Sequence, residues 1–235
     1  MTSEATATAH KAGLAHHFET YAQQKESSFL GMWLFMCQEV MFFGGLFAAY
    51  VNYRVMYPDA FIAGSQQLNV TIGAANTIVL LCSSFTMLYA VWAAKTGYRT
   101  DRFHNGWQIV FGLIGTIFFG SIFLIVKYFE YGEKFAHHLV PGHGFIPPVA
   151  SIANPKATEI FFSLYFGMTG LHALHMVVGM GIMLFMMRPA LRGRWDVNNH
   201  NFVEGFGLYW HFVDIVWIFL FPFLYLIGEA VPKLH

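Results

Sequence analysis

Apolar residues fall in five long blocks separated by short polar connections, and this pattern sets the architecture. The blocks lie near residues 29–52, 70–94, 108–128, 158–187 and 203–228. A helix needs about 20 apolar residues to cross the hydrocarbon of a bilayer, and each block meets that length. The fourth exceeds it and is expected to tilt or to run past the lipid. The pattern predicts an all-α, polytopic integral membrane protein: one domain, a bundle of five transmembrane helices, preceded by a polar segment at 1–28. Leu14, Phe18 and Tyr21 recur at helical spacing in that segment, which suits a helix lying on the membrane surface as well as an ordinary polar tail.

Composition agrees. Of 235 residues, 56% are apolar and 11% charged, against about 25% charged in soluble domains. Net charge is zero, which argues against nucleic acid as a partner. The two cysteines, Cys37 and Cys82, sit inside predicted spans and read as small buried hydrophobes, not as a disulfide framework. Basic residues set the orientation. Lys11, Lys25, Lys95, Arg99, Arg102, Arg188, Arg192 and Arg194 fall on one side, and Arg54, Lys127, Lys134, Lys156 and Lys233 on the other. The richer side is expected to be cytoplasmic, with the N-terminus inside and the C-terminus outside. The connection at 54–69 reads as an outside loop. That at 132–157, rich in Gly, Pro and His, is long enough to dock on a partner.

Polar residues inside the apolar blocks are the candidate chemistry. Glu39 lies near the middle of the first block. An ionised carboxylate at that depth costs roughly 3 kcal/mol on insertion scales, so Glu39 must be protonated, paired or turned toward protein. A hydrogen bond from it to His172 or His175 is expected. Those two histidines are three apart on one helix face, a spacing that serves a metal or haem site or a hydrogen bond between helices. Glu204, His211 and Asp214 share a face of the fifth block and are unsuited to face lipid, whereas Tyr209, Trp210 and Trp217 also fit an interfacial aromatic belt. Gly44, Gly45, Gly112, Gly115, Gly120, Gly167, Gly170, Gly179 and Gly181 suit close helix packing. No paired Glu-x-x-His motif, zinc-type Cys–His spacing, phosphate loop or nucleophile elbow is present, so no catalytic or metal-ligating set is assigned.

Four segments together resemble subunit III of the haem–copper terminal oxidases, the cytochrome c and quinol oxidase group. They are Gln38-Glu39-Val40-Met41-Phe42-Phe43, Lys127-Tyr-Phe-Glu130-Tyr131, Gly170-Leu-His172-Ala-Leu-His175-Met-Val-Val-Gly179, and Asn199-His200-Asn-Phe-Val-Glu204 through Tyr209-Trp-His-Phe-Val-Asp-Ile-Val-Trp217. The resemblance implies a subunit without its own catalytic centre or metal, with haem and copper in partner subunits. It implies packing on subunit I, with subunit II also a partner, and support of proton uptake, stability and aerobic respiration. Bound phospholipid is implied, with Arg188 matching a basic residue near lipid headgroups and Glu39 the family's intramembrane glutamate. It also implies the bacterial inner membrane and the five-helix form, since mitochondrial-type members have two further helices. Lys127 stands where those members carry an acidic residue. Kept beside this reading are a subunit III-like component of a nitric oxide reductase, a haem-binding membrane cytochrome and a small transporter.

Overall fold

The computed structural model describes residue 18 and residues 20–96, 102–142, 144–147, 155–192 and 200–228. The described residues form helices and connections with no strand: α1 (Tyr21–Met56), α2 (Pro58–Ser65), α3 (Val70–Thr96), α4 (Arg102–Ala136), α5 (Pro155–Leu191) and α6 (Asn201–Phe221), closed by a π-helical turn at Pro222–Leu226. Five of them, α1, α3, α4, α5 and α6 with its π turn, are long and apolar enough to cross a membrane. The chain is thus a multi-pass helical membrane protein. It divides into two compact units, one up to Met41 and one from Phe42 onward.

The helices outrun their apolar blocks, for local reasons. α1 starts at Tyr21, not near 29, because Thr20 caps it: its Oγ1 accepts from the Gln23 backbone N–H at 3.2 Å. Part of the expected 1–28 tail is therefore helix; of the proposed surface stripe, Leu14 lies outside the described residues, Phe18 precedes α1 and Tyr21 opens it. Asn69 caps α3 likewise, through Oδ1 and the Ile72 N–H at 3.2 Å. α4 continues past 128 to Ala136 because Lys127, Glu130 and Lys134 are all buried with partners. The expected outside loop at 54–69 is in good part α2. Pro58 at its first turn suits a helix start, and Ala60, Phe61, Ala63, Gly64 and Ser65 are buried.

The second unit packs through small residues and hydroxyls. A Cβ on Gly112 would lie 2.8 Å from the Ala90 Cβ and 2.9 Å from the Ala90 nitrogen, so only glycine allows α3 and α4 this approach. Thr86 and Thr116 hydroxyls bond across the same seam at 3.0 Å. α6 is pinned to α3 by two indoles: Trp210 Nε1 donates to Ser83 Oγ at 3.0 Å and Trp217 Nε1 to Thr77 Oγ1 at 3.1 Å. Both tryptophans are fully buried, so they do not form an interfacial belt. By contrast Gly44, Gly45, Gly167 and Gly181 have nothing within 4 Å of a built Cβ and leave open space instead of a packing seam. Cys37 and Cys82 are free and exposed, which corrects the expectation of burial; a small apolar side chain facing lipid carries no penalty.

Pro222 lacks an N–H and cannot continue the α6 ladder. The wider π turn that follows frees carbonyls, and side chains take them up. Tyr50 donates to the Phe223 carbonyl at 2.5 Å, and Ser65 Oγ to the Leu224 carbonyl at 2.7 Å, while the Gly228 N–H returns to Ser65 Oγ at 3.0 Å. This turn carries Tyr225 into the interior.

Candidate functional site

The densest polar group of the second unit is built on the last turns of α4. Lys127 and Glu130, one turn apart, are 4% and 6% exposed and pair at 2.9 Å. Lys127 Nζ also donates to Tyr225 at 2.5 Å, and the hydroxyls of Tyr165 and Tyr225 both donate to Glu130 Oε1, at 2.9 and 2.5 Å. The ammonium sits 4.8 Å from the Trp217 ring centre and 5.3 Å from that of Tyr165. A buried ion pair recovers its desolvation only when the remaining donors and acceptors are used, and here they are. Beside it, Tyr131 and Thr169 hydroxyls meet at 2.5 Å, and Lys134 Nζ donates to the Gln67 carbonyl at 2.6 Å. The cluster ties α4, α5 and the π turn together. Lys127 and Glu130 were visible as an i, i+3 pair, but no site role followed from the spacing. Tyr165 and Tyr225 are 35 and 95 positions away from Glu130 and were not anticipated.

The polar residues expected to meet in one interior are distributed. His172 is fully buried, wedged between Phe123 and Trp217 at ring separations of 5.4 and 5.3 Å. Neither of its ring nitrogens has a hydrogen-bond partner among the described residues. His175, three residues on, faces elsewhere: its Nδ1 meets the Leu171 carbonyl at 2.7 Å and its ring lies 5.3 Å from Phe43. The i, i+3 spacing therefore does not converge on one ligand. Asp214 is buried at 3% exposure. Ser84 lies beside it, but the Ser84 hydroxyl is engaged with His211 Nδ1 at 2.6 Å. Glu204 is at the rim, not in the bundle, because Lys95 of α3 holds it at 2.6 Å, with His200 3.7 Å away. In the first unit, Glu39 is buried at 8% exposure while Gln38 and Val40 beside it are exposed. Arg188 is exposed in the last turn of α5. Among the described residues no three His, Cys, Asp or Glu side chains gather as a metal site.

The fold and these sites define a class: a polytopic helical membrane protein whose interior polar residues cross-link helices. Comparison with known proteins narrows it. Residues 149–229 match the family model described as cytochrome c oxidase subunit III. The cytochrome c oxidase subunit 3 of Synechocystis is 33% identical over 84% of this chain and 74% of its own length. That of Corynebacterium diphtheriae is 33% identical over 84% and 87%. A protein of Aeropyrum pernix named heme-copper oxidase subunit I+III is 31% identical over 91% of this chain and 24% of its own length. The chain belongs to the cytochrome c oxidase subunit III family of the haem–copper oxidases.

Proposed function

We propose that this chain is the non-catalytic subunit III of a bacterial terminal oxidase, packing on subunit I and assembling with subunit II. Haem and copper reside in those partners, and this subunit supports proton uptake and the durability of the complex in aerobic respiration. The relative from Aeropyrum pernix carries this reading, since its name joins a subunit I to a subunit III in one chain. The Lys127–Glu130 cluster and the indole pins suit a scaffold, because they fix helices against each other without leaving an open reactive group. Glu39, as the buried carboxylate of α1, is assigned to the proton-uptake role, and Arg188 to a phospholipid headgroup. The protein lies in the cytoplasmic membrane with its N-terminus inside, and the 132–157 connection docks on a partner at the outer face.

Tagging the chain, extracting it from its own membrane in mild detergent and recording an optical spectrum with subunit analysis tests this. Haem- and copper-bearing subunits should co-purify, and the chain stripped of them should show no haem absorption. A haem spectrum that stays with the isolated chain would overturn the reading.

A further inference from the structure

His211 is the polar side chain that α6 leaves half-buried in the middle of its span, where its neighbours Phe212, Val213 and Asp214 are buried. The span Asn201–Leu226 has 26 residues, about 39 Å of helix, and His211 and Asp214 lie on either side of its centre. The inner nitrogen of the ring, Nδ1, meets Ser84 Oγ at 2.6 Å. The ring makes no other hydrogen bond among the described residues, and Nε2 is not enclosed by the chain.

The groups behind the ring decide what Nε2 offers. Asp214 is buried, and neither of its oxygens has a well-formed hydrogen bond among the described residues. A carboxylate without donors is not kept ionised at the centre of a bilayer, so Asp214 is a neutral acid with a proton to give. Ser84 is the group close enough to take it. With its oxygen accepting from Asp214, the Ser84 hydroxyl donates to Nδ1, and the ring proton is left on Nε2. A chain of donors thus runs from Asp214 through Ser84 to His211 and ends in an N–H at the surface of the bundle.

This N–H needs an acceptor that lipid does not supply. Acyl chains have none, and ester carbonyls and water lie about 15 Å away at headgroup level. Only protein reaches this depth with an oxygen, and the backbone carbonyls of a regular helix are already in use, so the acceptor is a side chain. Leu208, Ile215 and Ile218 are exposed on the same face as His211 and give it an apolar surround. A second copy of the chain does not fit. Across a two-fold axis this stripe would meet itself, donor against donor.

We propose that the Leu208–His211–Ile215–Ile218 stripe docks a transmembrane helix of a different subunit, and that His211 Nε2–H donates to a side-chain oxygen on it. The identity of that subunit rests on the proposed oxidase assembly; the presence of protein on this face does not.

The test places a photoreactive benzophenone residue at Ile215 in the tagged chain, illuminates native membranes and identifies the adduct by mass spectrometry. The adduct should join this chain to a transmembrane segment of an oxidase subunit. In the purified complex, His211→Phe should speed dissociation of that subunit in detergent about three- to twentyfold, the range of a hydrogen bond between membrane helices. Asp214→Asn should dissociate like wild type, because its amide N–H still donates to Ser84. Asp214→Leu and Ser84→Ala should both shift toward His211→Phe. Adducts to lipid alone, to a second copy or within this chain would overturn the inference, as would dissociation unchanged by His211→Phe. Asp214→Asn as damaging as Asp214→Leu would overturn the donor chain. If His211→Phe does not accumulate, the Ile215 adduct decides alone. An adduct to a membrane protein other than an oxidase subunit, weakened by His211→Phe, would count against the proposed function and leave the docking face standing.

Discussion

Lys127 shows what a single charge does inside a membrane bundle. Replacing it with Met would leave Glu130 buried and unpaired, and breaking such a pair costs about 3–5 kcal/mol. Lys127→Met should therefore lower the thermal midpoint of the purified complex sharply or release this subunit. Lys127→Met with Glu130→Gln should regain part of the loss, because the glutamine carbonyl still accepts from the hydroxyls of Tyr165 and Tyr225 while no unpaired charge stays buried. A double variant no better than the single would show that the ion pair is not the source of the effect. Glu39 calls for the opposite expectation. A fixed charge at that depth is costly, so a neutral group of the same shape should serve its structural role. Glu39→Gln should leave the complex assembled, measured as subunit content after purification, and loss of assembly would show that the charge itself is needed. The residue scale is also where sequence reading stops short. A carboxylate in an apolar block announces itself, as Glu39 and Asp214 do. Its partner does not, because Tyr165 and Tyr225 look like ordinary aromatic residues until the fold sets their hydroxyls on Glu130.

Helices and their contacts were legible to different degrees. The five spans could be read because lipid demands unbroken apolar runs and internally satisfied backbone. Their ends could not, since α4 reaches Ala136 through charged residues whose partners come from other segments. α2 was missed because eight residues are too few for periodicity to separate a helix from a loop, although Pro58 is placed where a helix can start. Glycine was ambiguous in the same way. At Gly112 an added Cβ meets backbone atoms of α3, whereas at Gly181 it meets nothing within 4 Å. Gly112→Ala should thus destabilise by about 1–3 kcal/mol through overpacking. Gly181→Ala should be neutral, or stabilising by up to about 1 kcal/mol through helix propensity. The measurement is the retention of each variant in the purified complex on heating, and equal behaviour of the two would refute the packing account.

At the scale of the whole molecule, orientation decides which face of the chain meets cytoplasmic protons. Lys11, Lys25, Lys95, Arg99, Arg102, Arg188, Arg192 and Arg194 outnumber the basic residues of the opposite side, and short loops rich in Lys and Arg stay inside. The helix order makes the prediction sharp. α4 and α5 join through a connection that begins after Ala136, and α5 and α6 through one that begins after Leu191, so the two lie on opposite sides of the membrane if each helix crosses once. His137 and Arg192 sit at those two places, both exposed. With Cys37 and Cys82 changed to Ala, His137→Cys should react with a membrane-impermeant thiol reagent applied to intact cells, and Arg192→Cys only after the membrane is opened. The reverse pattern would invert the topology. It would put Arg188 at the outer face, away from inner-leaflet headgroups. Labelling of both sites in intact cells would mean that one of the helices between them does not cross.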